Sequence, residues 1–455
     1  MADKIFNSIS RANANANDPE VINFKDVTFL NVTDSNGNPK KSKPDVILKD
    51  VKSEVNRVIA ITQNDLSRMD AMGNVAAEMN TANCYIVHKN GSYFLPLVYG
   101  NAIKGSKKNA AAYTRKGTTD VEAEFVNHLG NAITSPYIEE NIGCKAASCE
   151  VVWMDDANFI SDLQIVDGTV CRGLRFSAVV PDINANAIVA VKDSDGNIIW
   201  SWHIWGTFDD LTPYTITNHT GVEYKFMPLY LGWKWDNSSK QQGRCCHYQW
   251  GRKDPMPVAS AYNSSSTTTL YGSKSFTVAA AVNNLYEAIS KPNVFFTQCD
   301  EVTYNWHHGT SKYNLWNANL NSDGAYDDMA TAIKTVYDPC PAGFMLPAGR
   351  AWTGFTTTGS NTSTRSEFNV VGEWSVGWMF KRNPSDTVGV RYPAAGYRNR
   401  ASGGLAGVAG GLLVWSFAPG SQAGVSALYA GSGYVTPLGW NGRADGFSVA
   451  ACSEF

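Results

Sequence analysis

The stretch Gly396-Tyr397-Arg398-Asn399-Arg400, through Gly403-Gly404-Leu405-Ala406-Gly407-Val408-Ala409-Gly410-Gly411 and Val414-Trp415-Ser416, to Arg443-Ala444-Asp445-Gly446-Phe447-Ser448-Val449 decides how this chain is read. Small residues alternate there with isolated aromatics: Tyr397, Trp415, Phe417, Tyr429, Tyr434, Trp440 and Phe447. From Gly396 to Phe455 there is no Lys, His, Met or Ile, and the only acids are Asp445 and Glu454. A packed strand bundle favours more β-branched and large apolar residues, and a disordered tail would not carry these aromatics. The pattern predicts irregular loops pinned by a few aromatics and presenting an adjustable surface.

Working outward, the chain has 455 residues, enough for about three domains at ~150 residues each. The formal net charge is −3 and no basic stripe is visible, so nothing points to nucleic acid. With 14 Trp and 20 Tyr, the aromatic content suits recognition surfaces as well as cores. No apolar run approaches the roughly 20 residues of a membrane span. Met1-Ala2-Asp3-Lys4-Ile5-Phe6 has no apolar signal region, which suggests a protein used from the cytoplasm, as virion proteins are, or one whose leader has been removed. The nine cysteines include no CxxC pair, against zinc-ribbon spacing.

Residues 1 to about 45 are polar, and Asp34-Ser35-Asn36-Gly37-Asn38-Pro39 signals a turn. Leu48, Val51, Val55, Val58, Thr62, Met69 and Met72 fall near a 3–4 spacing, predicting an amphipathic helix, either packed on its own domain or forming a short oligomerising coil. Residues 80 to about 235 read as β. Short strands flank the turn Lys89-Asn90-Gly91, and Asp193-Ser194-Asp195-Gly196-Asn197 turns Ala187–Val191 into the aromatic run Ile198–Trp205. Several short strands with regular turns predict an Ig-like sandwich. Residues 236 to about 277 read as long loops. Val278–Lys291 and Asp323–Val336 read as helices, the second from Ala325, Met329, Ile333 and Val336, stopped by Pro339-Cys340-Pro341.

Local phrases carry a family resemblance: Thr81-Ala82-Asn83-Cys84-Tyr85, Ser135-Pro136-Tyr137-Ile138, Trp200-Ser201-Trp202-His203-Ile204-Trp205, Tyr248-Gln249-Trp250-Gly251-Arg252-Lys253-Asp254-Pro255 and Tyr337-Asp338-Pro339-Cys340-Pro341-Ala342-Gly343-Phe344. With the C-terminal stretch, they resemble surface proteins of Bacteroides and relatives that carry a major-paralogous domain of C-type-lectin-like fold. The resemblance covers roughly residues 80–455. It implies a C-type-lectin-like α+β C-terminal domain over 236–455. Together with the helix and strand readings above, the chain is expected to be mainly β, with a β-sandwich over 80–235 and, over 1–79, where the resemblance does not reach, an anchoring or oligomerising segment with a helix.

Residues 396–449 further resemble the variable region of proteins diversified by a retroelement, in which a reverse transcriptase errs at template adenines and Asn codons are favoured targets. The fixed frame of that family matches Gly396, Tyr397, Arg398, Gly403, Leu405, Val408, Trp415, Ser416, Leu428, Val435, Pro437, Arg443, Ala444, Gly446, Phe447, Ser448 and Val449. The absence of Lys fits an AAC template codon. Trp440 and Gln422 need another template codon, and Leu412-Leu413-Val414 is more apolar than the family's usual turn. The calcium-dependent sugar motifs Glu-Pro-Asn and Trp-Asn-Asp do not occur.

The resemblance implies a ligand-binding face made by Asn399, Arg400, Ser402, Gly404, Ala406, Gly407, Tyr429, Tyr434, Thr436, Gly439, Trp440 and Asn441, held by Trp415, Gly446 and Phe447. Small residues would shape a shallow pocket, and Tyr and Trp would supply rigid contact area. A disulfide between Cys340 and Cys452 would suit the end of such a domain. His307-His308 lacks a third placed metal ligand, and His203, among tryptophans, reads as a core histidine. No Gly-x-Ser-x-Gly elbow, phosphate loop or His-Glu-x-x-His appears, so neither an enzyme nor a cofactor is expected. The expected function is receptor binding as a phage fibre or other virion protein. Its partners would be a host-surface glycan or protein and other virion proteins, with a homo-oligomer, trimer favoured. The alternatives are a pilus-tip or cell-surface adhesin and a structural virion decoration protein.

Overall fold

A computed structural model describes residues 64–114, 125–302, 304–308, 312–320, 329–419 and 424–454. They fall within a compact unit, Asn64–Phe455. The fold is mainly β, and the helical turns among the described residues are short 3-10 turns. No helix among them is long and apolar enough to cross a membrane.

The expected hairpin is present. Strand Ala185–Lys192 pairs antiparallel with strand Ile198–Gly206, whose residues are all buried. The turn closes because Asp193 Oδ1 accepts from the backbone N–H groups of Asp195 (2.9 Å) and Asn197 (2.8 Å). The hairpin centres a four-stranded sheet in the order Cys84–Val87, Ile198–Gly206, Ala185–Lys192, Ser148–Met154. A second sheet runs Asn64–Asp65, Gly91–Pro96, Gly173–Ala178, Ile160–Val166. The strands on either side of Lys89-Asn90-Gly91 therefore join different sheets. Cys84–Val87 is buried throughout and pairs in parallel, the behaviour of a continuous apolar run enclosed on both faces.

Three helices expected from apolar spacing are not formed where they can be described. Leu48, Val51, Val55, Val58 and Thr62 lie outside the described residues. Beyond them the chain makes strand Asn64–Asp65 and a 3-10 turn, Leu66–Arg68, capped by Asp65. Asp70 then accepts from the N–H groups of Met72 (2.9 Å) and Asn74 (2.8 Å), a local turn that competes with helix. Val278–Lys291 begins instead in strand Thr277–Ala279, paired in parallel with Val294–Phe296, and its helical part shrinks to the 3-10 turn Leu285–Ala288. In the third case Ala325 lies outside the described residues. Asn317 Oδ1 accepts from Ile333 N–H at 2.8 Å, and Lys334 pairs across a bridge with Asn317. The Lys334 ammonium donates to the carbonyls of Cys340 (3.0 Å) and Pro341 (2.7 Å).

The C-terminal stretch is also corrected. Loops were expected; strands Leu412–Pro419, Val425–Gly431 and Tyr434–Asn441 form an antiparallel meander. Its central strand, Val-Ser-Ala-Leu-Tyr-Ala-Gly, is buried apart from Tyr429. Small side chains fit a strand enclosed on both faces, a context that overrides average β propensity. A short sheet in the order Tyr248–Gln249, Gly446–Phe447, Tyr397–Arg398, Leu405–Ala406 lies alongside, joined to the meander by a bridge between Val414 and Ser448.

Pairing crosses residue 235. Phe226, in strand Glu223–Phe226, pairs with Cys452, which on its other side pairs with Met345. Asn83 donates to the carbonyls of Val336 (2.6 Å) and Asp338 (2.8 Å), and one apolar core runs from Leu66 to Cys452. This pairing ties down the C-terminus. The expected Cys340–Cys452 disulfide is not formed, and both residues are buried free thiols.

Candidate functional site

The face expected at the C-terminal stretch is built on buried anchors. The Trp415 indole N–H donates to the Tyr248 carbonyl at 2.7 Å. Its ring stacks on Phe447 at 4.1 Å, and Phe447 meets Tyr397 edge-on at 5.9 Å. Gly446 pairs with Gln249 and Arg398, and an added Cβ would lie 3.1 Å from Arg398 Cβ. Arg398 is buried. Its guanidinium donates to the carbonyls of Gly403 (2.9 Å) and Pro257 (2.7 Å) and to Thr267 Oγ1 (3.1 Å), and lies 4.3 Å from the Phe276 ring. Burial pulls its pKa down to about 9. Arg443, also buried, sits 4.6 Å from the Trp250 ring and donates to the Lys312 carbonyl.

On this base the named residues form two clusters. The first is the hairpin tip after Tyr397–Arg398. Gly403 N–H returns to the Asn399 carbonyl at 2.7 Å, leaving Ser402 and Gly404 exposed. Gly403 is required there: φ is +67° and a Cβ would meet Val278 Cγ2 at 2.6 Å. Arg400 is held in place: its backbone N–H and guanidinium contact Asp445 at 3.0 and 3.1 Å, its Nε donates to Gln298 at 2.9 Å, and it lies over Tyr304 at 4.4 Å. Burial raises the Asp445 pKa, and Arg400 opposes that rise. Gly442 packs against Tyr304 and Arg400, so strand Tyr434–Asn441 ends next to this cluster.

The second cluster is aromatic. The rings of Tyr429 and Tyr434 lie 4.9 Å apart, and Tyr397 is close enough to add to the upward shift of the Tyr434 hydroxyl, whose main cause is burial. The Thr436 hydroxyl donates to the Tyr429 carbonyl. Ala406 pairs with Tyr397, and exposed Gly407 faces its ring. Strand alternation links the clusters, because Tyr434, Thr436, Leu438 and Trp440 share the more exposed face of Tyr434–Asn441. Trp440 is 54% exposed. Gly439 does not join them: it is buried, with the Ala427 carbonyl 3.1 Å from where its Cβ would be.

Sequence reasoning missed Gln298 and Tyr304, which brace Arg400, and Asn361, which donates to and accepts from the Leu438 backbone. No signal marks them, since they lie far away in sequence. Tyr397 matches the fixed frame yet has a half-buried ring beside the Tyr429–Tyr434 pair.

The motif Tyr248–Pro255 is an interior hub. Gln249 donates to the carbonyls of Phe296 (2.7 Å) and Ala444 (2.8 Å), and Arg252 donates to Gln249 and to the Val294 carbonyl, both at 2.8 Å. Lys253 bonds Ser201 and Asp254 in the interior. His203 is buried between Asn186 Oδ1 and the Tyr248 hydroxyl, each at 3.0 Å. His307 bonds Asn305 and the His308 carbonyl. Among the described residues, no group of three or more His, Cys, Asp or Glu is placed to hold a metal. Comparison of the chain with protein-family models, with curated proteins and with solved structures finds no match.

Proposed function

We propose that this chain is a receptor-binding protein whose C-terminal stretch presents an adjustable ligand face. One observation carries the reading. Of the residues matching the fixed frame of retroelement-diversified proteins, all but Tyr397 and Val408 are buried. Of the residues in the positions that vary, all but Gly439 are partly or fully exposed. Such a division lets surface chemistry change while the core stays constant, as exposed substitutions usually alter stability by no more than ~0.5 kcal/mol. The finer fold reading, an Ig-like sandwich followed by a C-type-lectin-like domain, belongs to this proposal, as does a place on a phage virion or fibre facing a Bacteroides-like host. A trimer would multiply weak single-site binding by ~10²–10⁴. The ligand is a surface glycan or protein of the host.

Binding of the purified full chain to a panel of Bacteroides-like cells tests this. Tyr434→Ala with Trp440→Ala is expected to weaken binding at least tenfold, the scale of losing an aromatic anchor worth about 2 kcal/mol, with the melting temperature nearly unchanged. Unchanged binding by the double variant to cells that capture the parent would contradict the proposal.

A further inference from the structure

The interior holds a lysine, a carboxylate and an amide in one chain of contacts that the binding face does not use. Lys234, Asp155 and Asn186 are all buried, the Asp155 side chain completely. Lys234 Nζ lies 2.9 Å from Asp155 Oδ1, and Asn186 Nδ2 donates to Asp155 Oδ2 at 3.0 Å. One carboxylate therefore grips both nitrogens. The Asn186 amide is fixed further by donating to the Gly232 carbonyl at 3.0 Å, and its backbone N–H donates to Asp155 Oδ1 at 2.8 Å. Gly232 must lack a side chain, because a Cβ would lie 2.8 Å from Asn186 Oδ1. Both Asn186 Nδ2 protons are committed, so Oδ1 accepts and His203 Nε2, at 3.0 Å, is the donor. The other His203 nitrogen accepts from the Tyr248 hydroxyl. Burial keeps the imidazole neutral, and these two partners set its tautomer.

An isolated buried ion pair is a poor source of stability, because desolvation offsets much of its attraction. Here the pair lies against an amide whose carbonyl is polarised by a fixed N–H donor, the arrangement that stabilises an oxyanion. We propose that Lys234 and Asn186 join in an intramolecular isopeptide bond, with Asp155 as the proton carrier and His203 as the carbonyl-polarising donor.

Asp155 takes a proton from the Lys234 ammonium. The freed Nζ lone pair forms a bond to Asn186 Cγ, and the carbonyl π electrons move to Oδ1, which receives the His203 N–H. Asp155 passes a proton from Nζ to Nδ2. The Cγ–Nδ2 bond breaks as the carbonyl re-forms, and ammonia departs with the remaining proton as ammonium, leaving Asp155 ionised. No oxidant or other reactant is required. The product ties strand Ala185–Lys192 to Lys234 covalently.

Intact-mass measurement of the purified full chain decides the matter. The expected chain is about 17 Da lighter than its sequence, the mass of one ammonia, with or without reductant. A tryptic digest should contain one branched peptide joining Asn186 to Lys234. Lys234→Arg keeps the positive charge beside Asp155 but lacks a nucleophilic amine, and is expected at its full sequence mass. A parent chain at full sequence mass would overturn the proposal. So would an equal mass deficit in Lys234→Arg, which would place the ammonia loss at another residue, such as an asparagine closing on its own backbone.

Discussion

Replacing Arg398 by alanine is expected to destabilise the fold by about 2–6 kcal/mol, the scale of leaving two buried acceptors without their donor at about 1–3 kcal/mol each. The guanidinium joins three separate segments: the hairpin tip at Gly403, the Pro257 carbonyl and Thr267. Its removal leaves two buried carbonyls without this donor and opens a cavity against Phe276. Arg398→Lys is expected to recover only part of the loss, because an ammonium cannot span the same acceptors as a planar fork. Urea denaturation of the two variants measures this. A loss below about 1 kcal/mol for the alanine variant would show that the hairpin is held by other means.

Acidification has the second large effect. Burial lowers the pKa of His203 and His247 to about 3 and of His307 to about 4. Below the ordinary value of 6.5 the unfolded chain takes up these protons and the folded chain does not. The stability from keeping them neutral is therefore full above pH 6.5 and is lost as the pH falls towards the folded values. Each histidine contributes up to ~1.4 kcal/mol per pH unit in that window. Asp338 works the other way: burial raises its pKa from 3.8 to about 6, so between those values the folded state binds the extra proton. Asp445 is raised as well. The net expectation is a loss on the order of 2–3 kcal/mol per pH unit between pH 6 and 4. Urea titrations at pH 7 and pH 5 check it, and His307→Gln should flatten the slope. Equal stability at the two values would contradict the account.

What could be read in the sequence follows from how local the determinants are. The hairpin around Asp193 was legible because its turn chemistry and its flanking strands are contiguous. The helices near Met69, Val278 and Ile333 were misread because apolar spacing was taken without its local competitors: the Asp70 turn, the parallel pairing of Thr277–Ala279 and the side-chain bonds of Asn317. The meander was misread because Ala and Gly look loop-like until a strand is seen buried on both faces. Frame and exposed positions alternate along strand Tyr434–Asn441, so Tyr434, Thr436 and Trp440 face outward from a strand as well as they would from loops, whereas Gly439, expected among them, falls on the buried face. Gln298 and Tyr304 were invisible, because only the folded chain brings them to Arg400.

The proposal's central claim is that the buried positions are held constant while the exposed ones are free to change. Deep sequencing of the codons for residues 396–449 in a population from the native source tests it most directly. The account predicts substitutions concentrated at Asn399, Arg400, Ser402, Gly404, Ala406, Tyr434 and Trp440, with Arg398, Trp415, Gly446 and Phe447 constant. Uniform codons throughout, or substitutions spread equally over the buried frame, would contradict it.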